Sequence, residues 1–262
     1  MNLKLKTLTL LSCVALFAGC SGNNLVATDT GELQFSVVHH LNDGSELAAD
    51  AEGNKTFVND LGYTVKLTEA KVNWKSIKLI SDGDDPECLA GNDQDLEINS
   101  SQDFLGEDLI SHLLGDHEVP MVAYCAYELT LAPGAEAAAI KNHEGEDHGG
   151  GNSSFPESFH LAGTWTKDAA NGDFHIDTTD PVVIGGAFHT MQDGEMVEHP
   201  LHFHDGETSL SLLFGTKYDV LLNGVDFQAQ DEDAQREQVL ANLPNAVHQH
   251  LGATHDAGAD SH

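Results

Sequence analysis

The sequence predicts an all-β protein, an antiparallel β-sandwich of Greek-key type with one or two short helices. Apolar and polar residues alternate in about eight short segments, and turn-forming residues separate these segments. Helical spacing is confined to two segments, and we find no internal repeat. A barrel is the alternative arrangement for the same strands. With 262 residues and 40% hydrophobic content, the chain can form one large β domain, placed at residues 33–251.

The first half of this domain contains a strand at residues 33–37, a turn at 42–45 and a long alternating segment at 63–80. Within the long segment the apolar phase switches after Trp74, which predicts a β-bulge or bend near Ser76. An acidic turn at residues 81–86 follows, and the spacing at 107–114 favours a short helix.

The second half contains the remaining strand candidates and a second helix. Val239, Leu240 and Leu243 have the spacing of one helix face, which predicts a helix at residues 231–243. Alternation predicts strands at residues 121–131, 159–165, 181–188, 209–214 and 218–222.

The N-terminus has the pattern of a secretory signal. Two lysines precede a mostly apolar run at residues 8–17, which ends in Phe17-Ala18-Gly19-Cys20. This ending resembles the lipobox of bacterial lipoproteins, in which the cysteine becomes the lipidated N-terminus. The resemblance covers residues 1–21 and implies a signal peptide at 1–19, a lipid anchor at Cys20 and a tether at 20–32. Ser21 implies sorting to the outer membrane, so we expect a periplasmic location and membrane contact through the N-terminal lipid only.

Two cysteines remain once Cys13 has left with the signal and Cys20 is acylated. Cys88 and Cys125 are expected to pair as a disulfide in an oxidising periplasm. The loop closed would be 37 residues, worth roughly 4 kcal/mol in the chain-entropy model. Thiolate ligation of a metal is the alternative, although the chain has no C-x-x-C motif.

The formal net charge is −32, from 43 acidic and 11 basic residues, and becomes −34 when the signal is removed. Nucleic-acid binding is excluded, because a basic surface is needed to neutralise phosphates. An apolar run of about 20 residues, sufficient to span a bilayer, is also lacking. The acidity either gathers cations or adapts the protein to a saline habitat.

Three histidine-rich segments are candidates for metal binding, and the first is a soft acidic loop. His143 and His148 flank three acids and precede a glycine run, in a loop near residues 141–154. The composition resembles the histidine- and acid-rich loops of periplasmic zinc-uptake binding proteins, which implies Zn²⁺ capture. A solvated linker is the alternative for this low-complexity segment.

The second segment contains His199, His202, His204 and Glu207. On a strand, His202 and His204 would point to the same face, and paired imidazoles suit Zn²⁺, Cu²⁺ or Ni²⁺. The alternative is a polar strand face. His39, His40, His160, His175 and His189 are further histidines that could complete this site from a neighbouring strand.

The third segment is the C-terminal region, where His248 and His250 precede residues 252–262, a stretch expected to be a disordered tail. We interpret it as a metal-collecting tail, with an idle acidic tail as the alternative.

Together these features predict a lipid-anchored periplasmic protein that binds a divalent transition metal for capture or delivery. Zinc is the first choice, with copper or nickel as alternatives, and we expect no enzymatic activity. One alternative is a β-sandwich lipoprotein that docks an envelope protein and whose histidines are incidental. Another is a metalloenzyme with an open coordination position.

Overall fold

The computed structural model describes residues 29–134, 156–192 and 195–251 of the chain. The strands are β1 (Thr30–His40), β2 (Lys55–Val58), β3 (Thr64–Ile80), β4 (Gln94–Asp103), β5 (His112–Pro120), β6 (Ala126–Leu131), β7 (Phe159–Lys167), β8 (Ala170–Thr178), β9 (Val182–Ala187), β10 (His189–Gln192), β11 (Glu195–Glu198), β12 (Ser209–Lys217) and β13 (Val247–Leu251). The helices are α1 (Tyr218–Leu221) and α2 (Glu232–Ala246).

Strand β3 organises the larger sheet, which has the order β8-β7-β3-β6-β9. The first half of β3 pairs with β2 and β7, and its second half pairs with β4 and β6. Its register shifts between Trp74 and Ser76, so the predicted bulge near Ser76 is confirmed. A second shift, between Leu67 and Glu69, changes the pairing with β7.

The smaller sheet has the order β13-β12-β1-β5, and β10 and β11 form a separate antiparallel pair. All strand pairs in the described residues are antiparallel except β1 with β12, which run in parallel. A parallel pair requires a long crossover between its strands, and here the whole larger sheet lies between β1 and β12 along the chain.

A single hydrophobic core lies between the two sheets. The smaller sheet contributes the buried side chains of Phe35 and Phe214 to this core, and the larger sheet contributes those of Trp74 and Leu129. The rings of Tyr127 and Phe214 meet across this layer with centroids 5.1 Å apart. Full burial of one such side chain contributes about 1.5–3 kcal/mol. The prediction of an all-β sandwich with two short helices is confirmed.

The predicted helix at residues 231–243 is also confirmed, as α2. Asp231 accepts a hydrogen bond from the amide N–H of Ala234 at 2.9 Å, which satisfies one of the unpaired donors at the start of the helix. Val239 and Leu243 are buried, as their spacing indicated.

Cys88 and Cys125 form a disulfide, with Cα atoms 6.1 Å apart, so the predicted pairing is confirmed. The bond links the acidic turn after β3 to the segment before β6.

Two element predictions are wrong. Residues 107–114 form no helix; instead β5 begins at His112 and pairs with β1, because tertiary pairing overrides a weak local pattern. Residues 218–222 are not a strand, since α1 begins at Tyr218. The buried residues Tyr218, Leu221 and Leu222 have the spacing i, i+3 and i+4, which is the spacing of a helix face.

Two boundaries also differ from the prediction. The tether was placed at residues 20–32, but β1 begins at Thr30 and Leu33 is already buried. The single strand predicted at residues 121–131 is shorter: β5 ends at Pro120, Tyr124 makes an isolated bridge, and β6 begins at Ala126.

Several predicted features lie outside the described residues: the signal at 1–19 with the anchor Cys20, the loop histidines His143 and His148, and the tail at 252–262. Among the residues that are described, no helix has the length and apolar character needed to cross a membrane.

Candidate metal centre

The hairpin formed by β7 and β8 places two histidines and an aspartate on one surface. A two-residue turn, Asp168-Ala169, joins the strands, and Asp168 has φ 53° in the left-handed region that aspartate tolerates. This turn sets a register in which His160 lies opposite Asp177, with His175 two residues before Asp177. Because alternate residues of a strand share a face, the three side chains project from the same side of the sheet.

The inward-facing neighbours of these residues hold the hairpin in place. Phe159 and Leu161 on β7 are buried, as are Phe174 and Ile176 on β8. The alternating side chains therefore face away from the core, and this alternation fixes which face carries the polar groups.

One potential ligand atom from each of His160, His175 and Asp177 lies within 4.8 Å of the other two. The two imidazole rings meet edge to face with centroids 4.8 Å apart. Nε2 of His175 is 3.6 Å from Oδ2 of Asp177. We name these three residues the hairpin triad; in the described part of the chain, no other group of three or more potential ligands converges this closely.

A second carboxylate reaches the hairpin triad from β3. Oε2 of Glu69 is 3.4 Å from Nε2 of His160. Glu69 follows the register shift in β3 and pairs with Ala162, so the bulge determines which residue stands beside His160. The carboxylate is 57% exposed, whereas the His160 side chain is only 12% exposed.

Burial, and then the positive charge of a protonated His175, lower the pKa of His160. The carboxylates of Glu69, Glu157 and Asp177 act in the opposite direction but do not cancel this lowering. His160 is therefore a neutral imidazole near pH 7, the form in which a ring nitrogen can bind a metal.

Two imidazoles and a carboxylate suit a borderline divalent cation such as Zn²⁺. Tetrahedral ligands with bonds of 2.0–2.1 Å are about 3.4 Å apart, so side chains now within 4.8 Å must move inward by about 1 Å. The side chains of His175 and Asp177 are 56% and 38% exposed, which leaves them room to rotate. Glu69 or water can supply a fourth ligand.

The structure also brings together the histidines of the segment at 199–204, although not on a strand. The ring centroids of His199 and His202 are 5.1 Å apart, and those of His202 and His204 are 4.6 Å apart. The strand geometry assumed for His202 and His204 is not observed: in this segment only Leu201 makes a β-bridge, and Pro200 has no N–H for a ladder.

Glu207, the expected carboxylate ligand of this segment, braces the loop instead. Its Oε2 accepts a hydrogen bond from the amide N–H of His204 at 2.9 Å, and its own N–H donates to the carbonyl of His204. Among the described residues, the carboxylate found within 4 Å of a ring nitrogen of this segment is that of Glu87, whose Oε2 is 3.8 Å from Nδ1 of His202. Sequence reasoning did not find Glu87, because only the folded chain brings residues 87 and 202 together.

His248 lies on β13 opposite Gly215, where any side chain would collide with the imidazole. Its ring centroid is 5.2 Å from that of His40. His250 pairs with Leu213 on β12, and its side chain lies outside the described part of the chain. These histidines are distant in sequence from the hairpin triad, and β13 belongs to the other sheet.

His39 belongs to a buried polar network. Its Nε2 lies 3.2 Å from the carbonyl of Gly106 and 3.3 Å from Oδ1 of Asp108. Asp108 also accepts hydrogen bonds from the ammonium of Lys55 and, at 2.7 Å, from the hydroxyl of Tyr218.

Sequence reasoning named His160 and His175 only as histidines that could complete the 199–207 segment. The signal that it missed is the spacing around Asp168-Ala169. A two-residue turn there pairs residues whose numbers sum to 337, which places His160 opposite Asp177. Comparison with protein-family models, curated proteins and solved structures found no match. The hairpin triad is therefore assigned from its geometry alone.

Proposed function

We propose that this protein is a lipid-anchored protein of the bacterial cell envelope that binds a divalent transition metal, zinc first and copper or nickel as alternatives. The observation that carries the proposal is the convergence of His160, His175 and Asp177 within 4.8 Å on one sheet face. Metal capture or delivery in the periplasm is the role that fits a site in which the side chains of His175 and Asp177 are 56% and 38% exposed.

The chemistry of the hairpin triad favours zinc over calcium or magnesium. Hard cations prefer all-oxygen ligands, whereas two imidazoles with one carboxylate suit zinc, copper and nickel. His160 keeps its lone pair to lower pH than an ordinary histidine because its pKa is lowered. A net charge of −32 raises the local concentration of cations near the protein.

The location is proposed from the N-terminal sequence. The lipobox resemblance at residues 1–21 supports cleavage before Cys20 and acylation of its thiol. The Cys88–Cys125 disulfide is consistent with an oxidising compartment such as the periplasm. The histidine-rich segments at 143–148 and 252–262 would capture ions weakly.

Zinc titration calorimetry on metal-free, full-length protein tests the function. The parent protein should bind one equivalent of zinc most tightly. In the double variant His175→Ala/Asp177→Asn, the affinity for this equivalent should be lowered by at least about 100-fold. His175 is exposed and Asp177 is only half-buried, so the fold should survive. The matched control is Asp116→Asn/His117→Ala on β5, which makes the same chemical changes on the other sheet and should bind like the parent.

If His175→Ala/Asp177→Asn binds zinc with the affinity and stoichiometry of the parent, the hairpin triad is not the zinc site. If zinc neither binds nor shifts the melting temperature of the parent, the metal function itself fails. A docking module for an envelope partner would then be the better account.

A further inference from the structure

The segment at residues 199–204 forms a second cluster of ring nitrogens, separate from the hairpin triad. His202 lies between His199 and His204, with ring centroids 5.1 Å and 4.6 Å from them. The cluster lies on the connection between β11 and β12, whereas the hairpin triad lies on β7 and β8. Nothing in the function proposed above uses it.

Two contacts prepare these histidines for binding a cation. Nδ1 of His199 is 2.9 Å from the carbonyl of its neighbour Pro200. That contact requires a proton on Nδ1 and leaves the lone pair on Nε2, as in metal-binding histidines oriented by a backbone carbonyl. The reciprocal hydrogen bonds of Glu207 with the backbone of His204 hold the other end of the loop.

His202 supplies a buried ring nitrogen directed toward a carboxylate. Its Nδ1 is buried and has no hydrogen-bond partner among the described residues. In the described part of the chain, the acid closest to this nitrogen is Glu87, whose Oε2 lies 3.8 Å away, which is too long for a hydrogen bond. A cation between these groups would satisfy the buried nitrogen and neutralise the carboxylate.

The disulfide keeps Glu87 near the histidines through an unbroken series of connections. Glu87 is followed by Cys88, which is bonded to Cys125. Cys125 follows Tyr124, which exchanges two backbone hydrogen bonds of 2.9 Å and 2.8 Å with Leu201. Leu201 immediately precedes His202, so the cross-link fixes the acidic turn beside the histidine loop.

We propose that His199, His202, His204 and Glu87 form a second site for a divalent transition metal, whose affinity depends on the Cys88–Cys125 cross-link. Three imidazoles and one carboxylate make a complete tetrahedral ligand set for zinc or copper. The Glu87 carboxylate is 63% exposed, so it can move the short distance to a shared ion. Without the cross-link the turn that carries Glu87 loses its covalent connection to Cys125, and binding must also offset the entropy lost when the turn is ordered beside the histidines.

Histidine carbethoxylation, read residue by residue by peptide mass spectrometry, tests the second site in the full-length, metal-free chain titrated with Zn²⁺. The background is His175→Ala/Asp177→Asn, which removes the hairpin triad. Zinc should still protect His199, His202 and His204 together, with one midpoint. Residue-level protection separates this site from ions held by the other histidine-rich segments.

Two variants test the Glu87 ligand and the Cys88–Cys125 cross-link. Glu87→Gln should raise the zinc concentration for half-protection of the three rings by about tenfold, and Cys88→Ser/Cys125→Ser should do the same. Glu118→Gln, an equal loss of charge on β5, should not change it. In a chain with the hairpin triad intact, protection of His160 and His175 reports whether the cysteine variant is still folded.

The second site is overturned if none of the three rings is protected at zinc concentrations that protect His175 in the parent. The proposed effect of the disulfide on zinc affinity is overturned if a folded chain has the same protection midpoint with and without the Cys88–Cys125 bond. If zinc protects His199, His202 and His204 in the parent chain but does not protect His160 and His175, the function proposed above is contradicted and the second site is supported.

Discussion

Histidine and aspartate meet in two regions of this molecule with opposite consequences. In the buried network, the side chains of His39 and Asp108 are 0% and 1% exposed. In the hairpin triad, His175 and Asp177 are 56% and 38% exposed. The same residue types thus form a closed structural cluster in one place and an accessible ligand set in the other. What separates the two is whether the protein itself already uses the polar atoms.

In the buried network the protein does use them. Nε2–H of His39 faces two acceptors, and Nδ1 lies 3.3 Å from the side-chain amide nitrogen of Gln102. A neutral imidazole with its proton on Nε2 satisfies all these contacts. Asp108 accepts from Lys55, from Tyr218 and from the amide N–H of Leu47, so neither of its oxygens is left for a ligand. The network ties together β1, β2, α1 and the loop before β5.

Removing each aspartate gives the largest contrast. Asp108→Ala leaves a buried Lys55 ammonium without its counter-charge, which should lower the free energy of unfolding by about 3–5 kcal/mol. Asp177→Ala, the matched change in the hairpin triad, should stay within about 0.5 kcal/mol in metal-free protein. Urea unfolding of both variants measures this, and equal losses would erase the distinction between the two regions.

Acid should destabilise the metal-free protein through the buried network. Burial, then the charge of Lys55, lower the pKa of His39 from 6.5 to about 4. The unfolded chain therefore binds a proton before the folded chain does, and stability falls as the pH drops from 6.5 toward 4. The loss is at most about 3 kcal/mol, since one pKa unit corresponds to about 1.4 kcal/mol. His160, whose pKa is also lowered, adds to it in the same direction.

Urea unfolding at pH 7, 6, 5 and 4.5 tests this prediction, with His39→Gln as the comparison. Glutamine has no titrating group, so the variant should lose part of the slope between pH 6.5 and 4. Folding lowers the pKa of some carboxylates, such as Asp226, below the ordinary value of 3.8. Their contribution to stability is lost mainly below that pH, so it adds little to the slope between pH 6.5 and 4. Identical slopes for parent and variant would contradict the assignment to His39.

The smallest effect is expected from Glu69, which sharpens the boundary of the hairpin triad. Glu69 contacts His160 but is 57% exposed, and exposed ion pairs contribute about 0.2–1 kcal/mol. Glu69→Gln should therefore weaken zinc binding only about two- to fivefold by calorimetry. If Glu69→Gln lowers the zinc affinity as much as Asp177→Asn does, Glu69 is a metal ligand like Asp177. Glu118→Gln, which removes the same charge from β5, is the control.

Local patterns in the sequence predicted much of the fold and little of the site. The phase switch near Ser76 predicted the bulge in β3, and apolar spacing predicted α2. Alternation identified β7, which contains His160. The helix α1 was missed because a segment of four residues is too short for its period to stand out from alternation.

The ligand sets depend on long-range register, which periodicity does not specify. The hairpin triad requires the β7–β8 register, and Glu69 reaches it only because of a bulge in β3. Glu87 requires a disulfide and a one-residue bridge between segments more than 70 residues apart. In the segment at 199–204 the rings of His199, His202 and His204 lie close together, but on a loop that contains Pro200 and not on the strand assumed for their geometry.

Anomalous diffraction from crystals of the full-length protein grown with zinc tests the central claim most directly. Data collected on either side of the zinc absorption edge should give a peak between β7 and β8, about 2.0–2.2 Å from ring nitrogens of His160 and His175 and from an oxygen of Asp177. Crystals at saturating zinc with no anomalous density at the hairpin triad would contradict the account.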